Sequence, residues 1–237
     1  VRDDGVLCLD EDAGSKSMTD PDTLASFIRW CAKNYPANRN QLIFWDHGGG
    51  SVSGFGYDEK FASSGSMNLA EIDNALKAGG VKFDFVGFDA CLMATAENAL
   101  MLTEHADYMI ASEETEPGIG WYYTDWLTNY AKDTSRSTLE IGKDIIDSFV
   151  DTCARKVNGQ STTLSIVDLA ELEKTLPQTL TDFSVDTYEL MKNQEYAKVS
   201  NARSQAREYA VSSKIDQVDF VHLAKNMNTS EGDALAE

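Results

Sequence analysis

Basic residues are scarce in this chain. Across 237 residues, 20 Lys and Arg stand against 39 Asp and Glu, a formal net charge of −19. Phosphate backbones are held by concentrated positive charge, so the composition argues against nucleic acid as a partner. The acidity reads first as a solubility feature, although it would also attract a cationic substrate. Long apolar runs are missing too: no stretch approaches the roughly 18–20 apolar residues of a membrane helix, so no membrane partner is expected. The four cysteines (Cys8, Cys31, Cys91, Cys153) contain no CxxC pair. Their wide spacing fits neither a zinc site nor a disulfide framework. Cys8 lies in the apolar run Val6-Leu7-Cys8-Leu9, and Cys31 and Cys153 fall on apolar faces of expected helices, so these three read as buried thiols. No signal peptide is visible, and the chain opens Val1-Arg2-Asp3-Asp4 with no initiator Met, as a processed or trimmed product would.

What is present is an alternation of short apolar runs with amphipathic helices, the pattern of a mostly parallel sheet with helices on both faces. The length suits one core, without internal repeats or a clear linker. Val6 to Leu9 is a weak strand candidate. Asp20-Pro21 caps a helix bearing Leu24, Phe27, Ile28 and Cys31, and Gln41 to Trp45 reads as a buried strand. A polar, glycine-rich stretch from Gly48 to about Met67 is long for an internal connection. Asn68-x-x-Glu71 then opens a helix that stops at Gly79-Gly80. Phe83 to Phe88 is the next strand, followed by an expected helix from about Leu92 to His105. Tyr108 to Ala111 and Leu164 to Val167 read as strands. Ser137-x-x-Glu140 and Asp168-x-x-Glu171 cap helices, and the remainder is mostly helical with Pro177 as a kink or break.

Two strands end in residues able to do chemistry, Trp45-Asp46-His47-Gly48-Gly49-Gly50 and Phe88-Asp89-Ala90-Cys91-Leu92-Met93. Ligands of open α/β sheets bind beyond the carboxyl ends of the strands. Cys91 lies 44 positions after His47, which leaves room for a loop and one helical crossover between parallel neighbours. A thiol becomes a good nucleophile on losing its proton, and a nearby imidazole promotes that loss. A helix starting just after Cys91 would add its positive N-terminal dipole. The amides of Gly48 and Cys91 could hold the oxyanion of an acyl-transfer intermediate. Either residue alone has a plainer reading, a turn for His47 and packing for Cys91. His105, near a helix end, and His222, within a helix, read as structural.

With these residues in view, the two strand ends closely resemble those of the clostripain family of cysteine peptidases, which shares a caspase-like fold with gingipains and legumains. Asp20-Pro21-x-Thr23-Leu24-x-x-Phe27-Ile28-x-Trp30 with Asn34-Tyr35-Pro36-Ala37 looks like the family's preceding helix. Ala111-Ser112-Glu113-Glu114 with Pro117-Gly118-x-Gly120-Trp121 looks like its pocket loop. The resemblance is firm over the first half of the chain and loose beyond it. It implies a single caspase-like α/β domain over residues 1–237, secreted or in the cell envelope of a bacterium. The implied reaction is cleavage of protein or peptide substrates after Arg or Lys by a Cys91–His47 dyad. Asp89, two before the nucleophile, matches the family's acidic pocket residue, although it could also be a helix N-cap. Where some members carry a second acid this chain has Ile119, so Glu116 is the candidate substitute. Members are often activated by self-cleavage, and Lys60 is the one basic residue of the long loop. The chemistry needs no cofactor. Calcium dependence occurs in the family, but no segment spells an EF-hand loop. The family's strand–helix unit before this region, and further chain after it, are absent from the sequence, which reads as a fragment or processed piece.

Three other readings compete. A transpeptidase would use the same dyad while excluding water, and an inactive homologue would act as a binding module. A metal hydrolase on His47, Asp46 and Asp89 lacks a second His at ligand spacing.

Overall fold

The structure, a computed structural model, describes residues 8–157 and 159–237. Its elements run α1 (Pro21–Asn34), β1 (Gln41–Trp45), α2 (Gly50–Ser53), α3 (Leu69–Gly79), β2 (Phe83–Asp89), α4 (Ala96–Leu102), β3 (Ala106–Ser112), α5 (Tyr123–Lys132), α6 (Thr138–Lys156), β4 (Leu164–Asp168), α7 (Leu169–Lys192), α8 (Tyr196–Gln205), β5 (Glu208–Tyr209), β6 (Gln217–Val218), α9 (Phe220–Met227) and α10 (Ser230–Ala236). The central sheet has the order β1-β2-β3-β4. The first three strands are parallel and β4 is antiparallel to β3. Trp45 is registered against Asp89, so β1 and β2 end at the same level and release their chains side by side.

Alternation along β2 assigns its two faces. Val86 and Phe88 point into a core with Ile28 of α1, Ile72 and Leu76 of α3, Leu102 of α4 and Leu169 of α7. Phe85 faces a second core with Ile110, Trp126 of α5, and Ile141, Ile145 and Phe149 of α6. Helices therefore cover both faces, and the sheet is mixed but mostly parallel, as the alternation of runs implies. Local signals set the helix starts. Asp20 caps α1, with Pro21 in its first turn. Complete capping boxes open α3 (Asn68, Glu71) and α6 (Ser137, Glu140).

Four expectations change. The strand candidate at Val6–Leu9 lies largely outside the described residues; Cys8 and Leu9 themselves are exposed and not in a strand. Cys8 is thus not a buried thiol and Cys31 is only partly covered, whereas Cys153 is buried. Pro177 does not break its segment, because α7 runs through it. Hydroxyls of Thr175, Thr179 and Thr181 donate to carbonyls in the turns around the proline. The helix expected from Leu92 starts only at Ala96, capped by Thr95. Leu92 instead is buried with φ +67°, a conformation costly for a non-glycine residue. Partners from the next strand's exit fix it: the Leu92 N–H donates to the Glu114 carbonyl and the Ala94 N–H to the Ser112 carbonyl. Among the described residues, no helix is long and apolar enough to cross a membrane.

Candidate active site

Beyond the carboxyl ends of β1 and β2 lies a cleft of about 520 Å³, lined by Trp45, Asp46, His47, Asp89, Ala90, Cys91, Glu116, Pro117, Gly118 and Gly120. Five of the six residues singled out by sequence meet here: His47, Cys91, Asp89 and Glu116 on the walls, and Gly48 just behind them.

The His47 side is held by backbone. Its N–H donates to Asp46 Oδ1 at 2.6 Å, and its carbonyl accepts from the Gly56 N–H at 2.8 Å. The long loop after it is fastened rather than loose, since Phe55 exchanges hydrogen bonds with Met67 and buries its ring against Phe44 and Phe88. Gly48 packs directly on the other wall. A Cβ built there would lie 2.0 Å from the Cys91 carbonyl oxygen, so this position accepts only glycine without moving the two loops apart.

Cys91 is half-buried, and its Sγ accepts the Glu116 N–H at 3.2 Å. Burial raises the thiol's pKa, the Glu116 N–H opposes this, and the negative charge of Glu116 and Glu114 adds to the rise. The helix dipole expected to lower it is not available. It acts within the first turn, and α4 begins only after Thr95. The resting cysteine is therefore a thiol that needs a base, and His47 is the imidazole lining the same cleft.

The floor is a pair of acids. Asp89 is only 4 % exposed and accepts from the Trp121 N–H (3.1 and 3.2 Å to its two oxygens) and from the Tyr123 hydroxyl at 3.0 Å. It is not a helix cap; Thr95 has that role. Glu116 Oε1 accepts from Ser112 Oγ at 2.5 Å and from Trp121 Nε1 at 3.4 Å, while Oε2 is buried with no hydrogen-bond partner among the described residues. Burial first, and then the proximity of Asp89, pushes the Glu116 carboxyl up to about 8 from an ordinary 4.5; Asp89 is raised as well, chiefly by burial. Tyr123 was not singled out by sequence reasoning, and Ser112 and Trp121 entered only within the segments that look like a pocket loop, with no role of their own.

A raised pKa in the folded state has a definite sign. Glu116 binds a proton more tightly folded than unfolded, so its contribution to stability is full below about 4.5 and is lost as pH rises through about 8. We expect the thermal midpoint of the ligand-free protein to fall across that window more steeply than that of Glu116→Gln. Parallel curves would show that Glu116 titrates normally.

The remaining candidates sit elsewhere. Lys60 is exposed in a 3-10 turn, Glu59–Ser64, its N–H donating to Asp58 Oδ1, and it does not line the cleft. His105 is buried with Nε2 2.7 Å from Asp73 Oδ1, and His222 Nδ1 accepts the Arg207 N–H. Both are structural contacts. Among the described residues, no group of three or more His, Cys, Asp or Glu side chains could hold a metal ion.

A mostly parallel sheet with helices on both faces, bearing a thiol and an imidazole at neighbouring strand ends, defines a caspase-like protein. Solved structures share this fold. A secreted C11 cysteine protease from Bacteroides thetaiotaomicron, in complex with an irreversible peptide inhibitor, aligns at TM-score 0.62 and 21 % identity, covering 90 % of this chain and 59 % of its own. An inactive zymogen C11 protease from Parabacteroides distasonis aligns at TM-score 0.61 and 20 % identity, covering 96 % and 61 %. In sequence, clostripain of Hathewaya histolytica is 32 % identical over an alignment of 124 residues that covers 45 % of this chain and 23 % of the relative. The clostripain family matches residues 6–235, and the chain belongs to that family of cysteine peptidases. It spans less than two thirds of the length of each of these relatives.

Proposed function

We propose that this protein is a secreted cysteine endopeptidase that cleaves after Lys or Arg. The observation that carries this reading is the cleft itself, lined by one thiol, one imidazole, the buried carboxyl of Asp89 and the half-buried carboxyl of Glu116. In the proposed cycle Cys91 Sγ attacks the scissile carbonyl carbon as its proton passes to His47. The amides of Gly48 and Cys91 hold the resulting oxyanion. His47 then gives its proton to the departing amine, leaving an acyl thioester on Cys91. Water, deprotonated by His47, attacks that thioester and releases the acid and the free thiol.

Asp89 and Glu116 read the residue before the cut bond. Two acids in a dry pocket resist ionising together, and the Glu116 and Asp89 carboxyls share a hydrogen bond, so the pair keeps a proton until a cation enters. A lysine ammonium or arginine guanidinium is such a cation, and the latter can be held bidentately. The bound cation also offsets the negative charge of Glu116 and Glu114, which adds to the rise that burial gives the thiol's pKa, so substrate and nucleophile are electrostatically coupled. Trp45, 76 % exposed on the rim, supplies an aromatic wall for the neighbouring substrate residue. Self-cleavage after Lys60 belongs to the same proposal and requires its 3-10 turn to open into an extended strand.

A panel of fluorogenic peptides differing only at P1 tests the reading. Lys and Arg substrates should be turned over, with Asp89→Asn and Glu116→Gln lowering kcat/KM for them by about tenfold or more each, the scale of a lost charge-assisted contact. The uncharged Met analogue should be poor with every version. Equal rates for Met and Lys would sink the pocket assignment. Aminolysis products with an added amine acceptor, in place of hydrolysis, would identify a transpeptidase.

A further inference from the structure

The helical second half of the chain sends one hairpin back to the cleft. Strands β5 and β6 pair antiparallel, and the segment they enclose packs Tyr209, Ala210 and Ile215 around Leu92 and Cys91. From this hairpin Gln217 reaches three segments at once. Its Nε2 donates to the Leu92 carbonyl at 3.3 Å, on the loop of Cys91, and to the Glu113 carbonyl at 3.2 Å, at the start of the loop that carries Glu116. Its Oε1 lies against Gly50, only 2.4 Å from where a Cβ would stand, at the start of α2 just after the loop that carries His47. The Ala210 N–H to Glu114 Oε1 and the Tyr209 hydroxyl between Glu113 Oε2 and Asp219 Oδ2 brace the same junction.

We propose that Gln217 is a positioning residue that sets the spacing of Cys91, His47 and Glu116. The inference rests on the peptidase reading above. Leu92 adopts a left-handed conformation directly after Cys91, and such a conformation persists only where its surroundings hold it. Gln217 donates to the carbonyl of that very residue. Backbone bonds of Leu92 and Ala94 already tie the Cys91 and Glu116 loops together, and Gln217 adds the contact that joins the His47 side to them at Gly50, so loss of the amide loosens that third segment against the other two. Angstrom-scale misplacement of reacting groups costs up to about a hundredfold in rate.

The test uses the full chain with two shape-preserving variants. Gln217→Met keeps length and removes both hydrogen-bonding functions; Gln217→Glu turns the donor into an acceptor facing two carbonyls. For each, kcat and KM on a Lys substrate are measured with the rate of Cys91 alkylation against pH. We expect kcat to fall by about tenfold to a hundredfold, more in Gln217→Glu, with a smaller change in KM. Alkylation at neutral pH, below the raised range of the thiol, depends on the imidazole and should fall strongly, and at high pH it should converge with wild type. Variants with a lower thermal midpoint but wild-type kcat and an unchanged alkylation profile would overturn the proposal and leave the peptidase reading intact. A wild-type chain that cleaves nothing and alkylates like an ordinary thiol would overturn both.

Discussion

Replacing Cys91 with Ala is expected to abolish peptide cleavage, lowering kcat/KM by at least about four orders of magnitude, the scale seen when a covalent nucleophile is removed. His47→Ala should fall nearly as far, and the double variant no further. Groups that act as one unit lose their joint effect once either is gone. The resting thiol has its pKa raised by burial and lacks a helix dipole, so without the imidazole the Glu116 N–H is left to favour its thiolate against that burial. Thermal unfolding should barely move in either variant, since Cys91 is half-buried and His47 exposed. The same pair decides the role of Lys60. A wild-type chain nicked after Lys60 beside an intact Cys91→Ala chain supports self-cleavage, and an intact wild type with full activity removes it. A Cys91→Ala protein with measurable peptidase activity would dismiss the nucleophile.

Gly48→Ala should be the most damaging change that removes no chemical group. The new Cβ would sit 2.0 Å from the Cys91 carbonyl oxygen and 3.0 Å from Met93 Cγ. The first neighbour is backbone and cannot rotate away, so the loops bearing His47 and Cys91 must separate. We expect kcat/KM to drop by about a hundredfold. Stability should drop by about 1–3 kcal/mol, the range of an overpacked site. Gly118→Ala is the control. It lines the same cleft, yet its added methyl would meet nothing within 4 Å, and activity should stay within a fewfold of wild type. If both alanines behave alike, the tight apposition at Gly48 has no bearing on catalysis.

The scaffold was legible where local rules decide it. Capping residues marked the starts of α1, α3 and α6, and apolar runs marked β1 and β2, whose ends carry His47 and Cys91. Legibility failed where distant partners decide. Leu92-Met93-Ala94 has helical composition, but the Leu92 and Ala94 amides are claimed by Glu114 and Ser112, forcing a non-helical turn after Cys91. Only then does Thr95, a visible capping residue in hindsight, start α4. The acid pocket was half legible. Asp89 was named because its place two before the cysteine matches the acidic pocket residue of the clostripain family, whereas the pairing of Glu116 with it depends on how the loop after β3 folds back over the cleft. Gln217 carried no signal, because its partners lie 104 and 125 positions away along the chain.

One labelling experiment bears most directly on the whole account. The protein is treated with a thiol-reactive ketone carried on a peptide ending in lysine, and the modified residue is found by peptide mapping. The adduct is predicted on Cys91 alone among the four cysteines, lost in His47→Ala and suppressed by excess lysine-terminated peptide. Label spread over other cysteines, or equal labelling with and without His47, would show that the two strand ends do not work together.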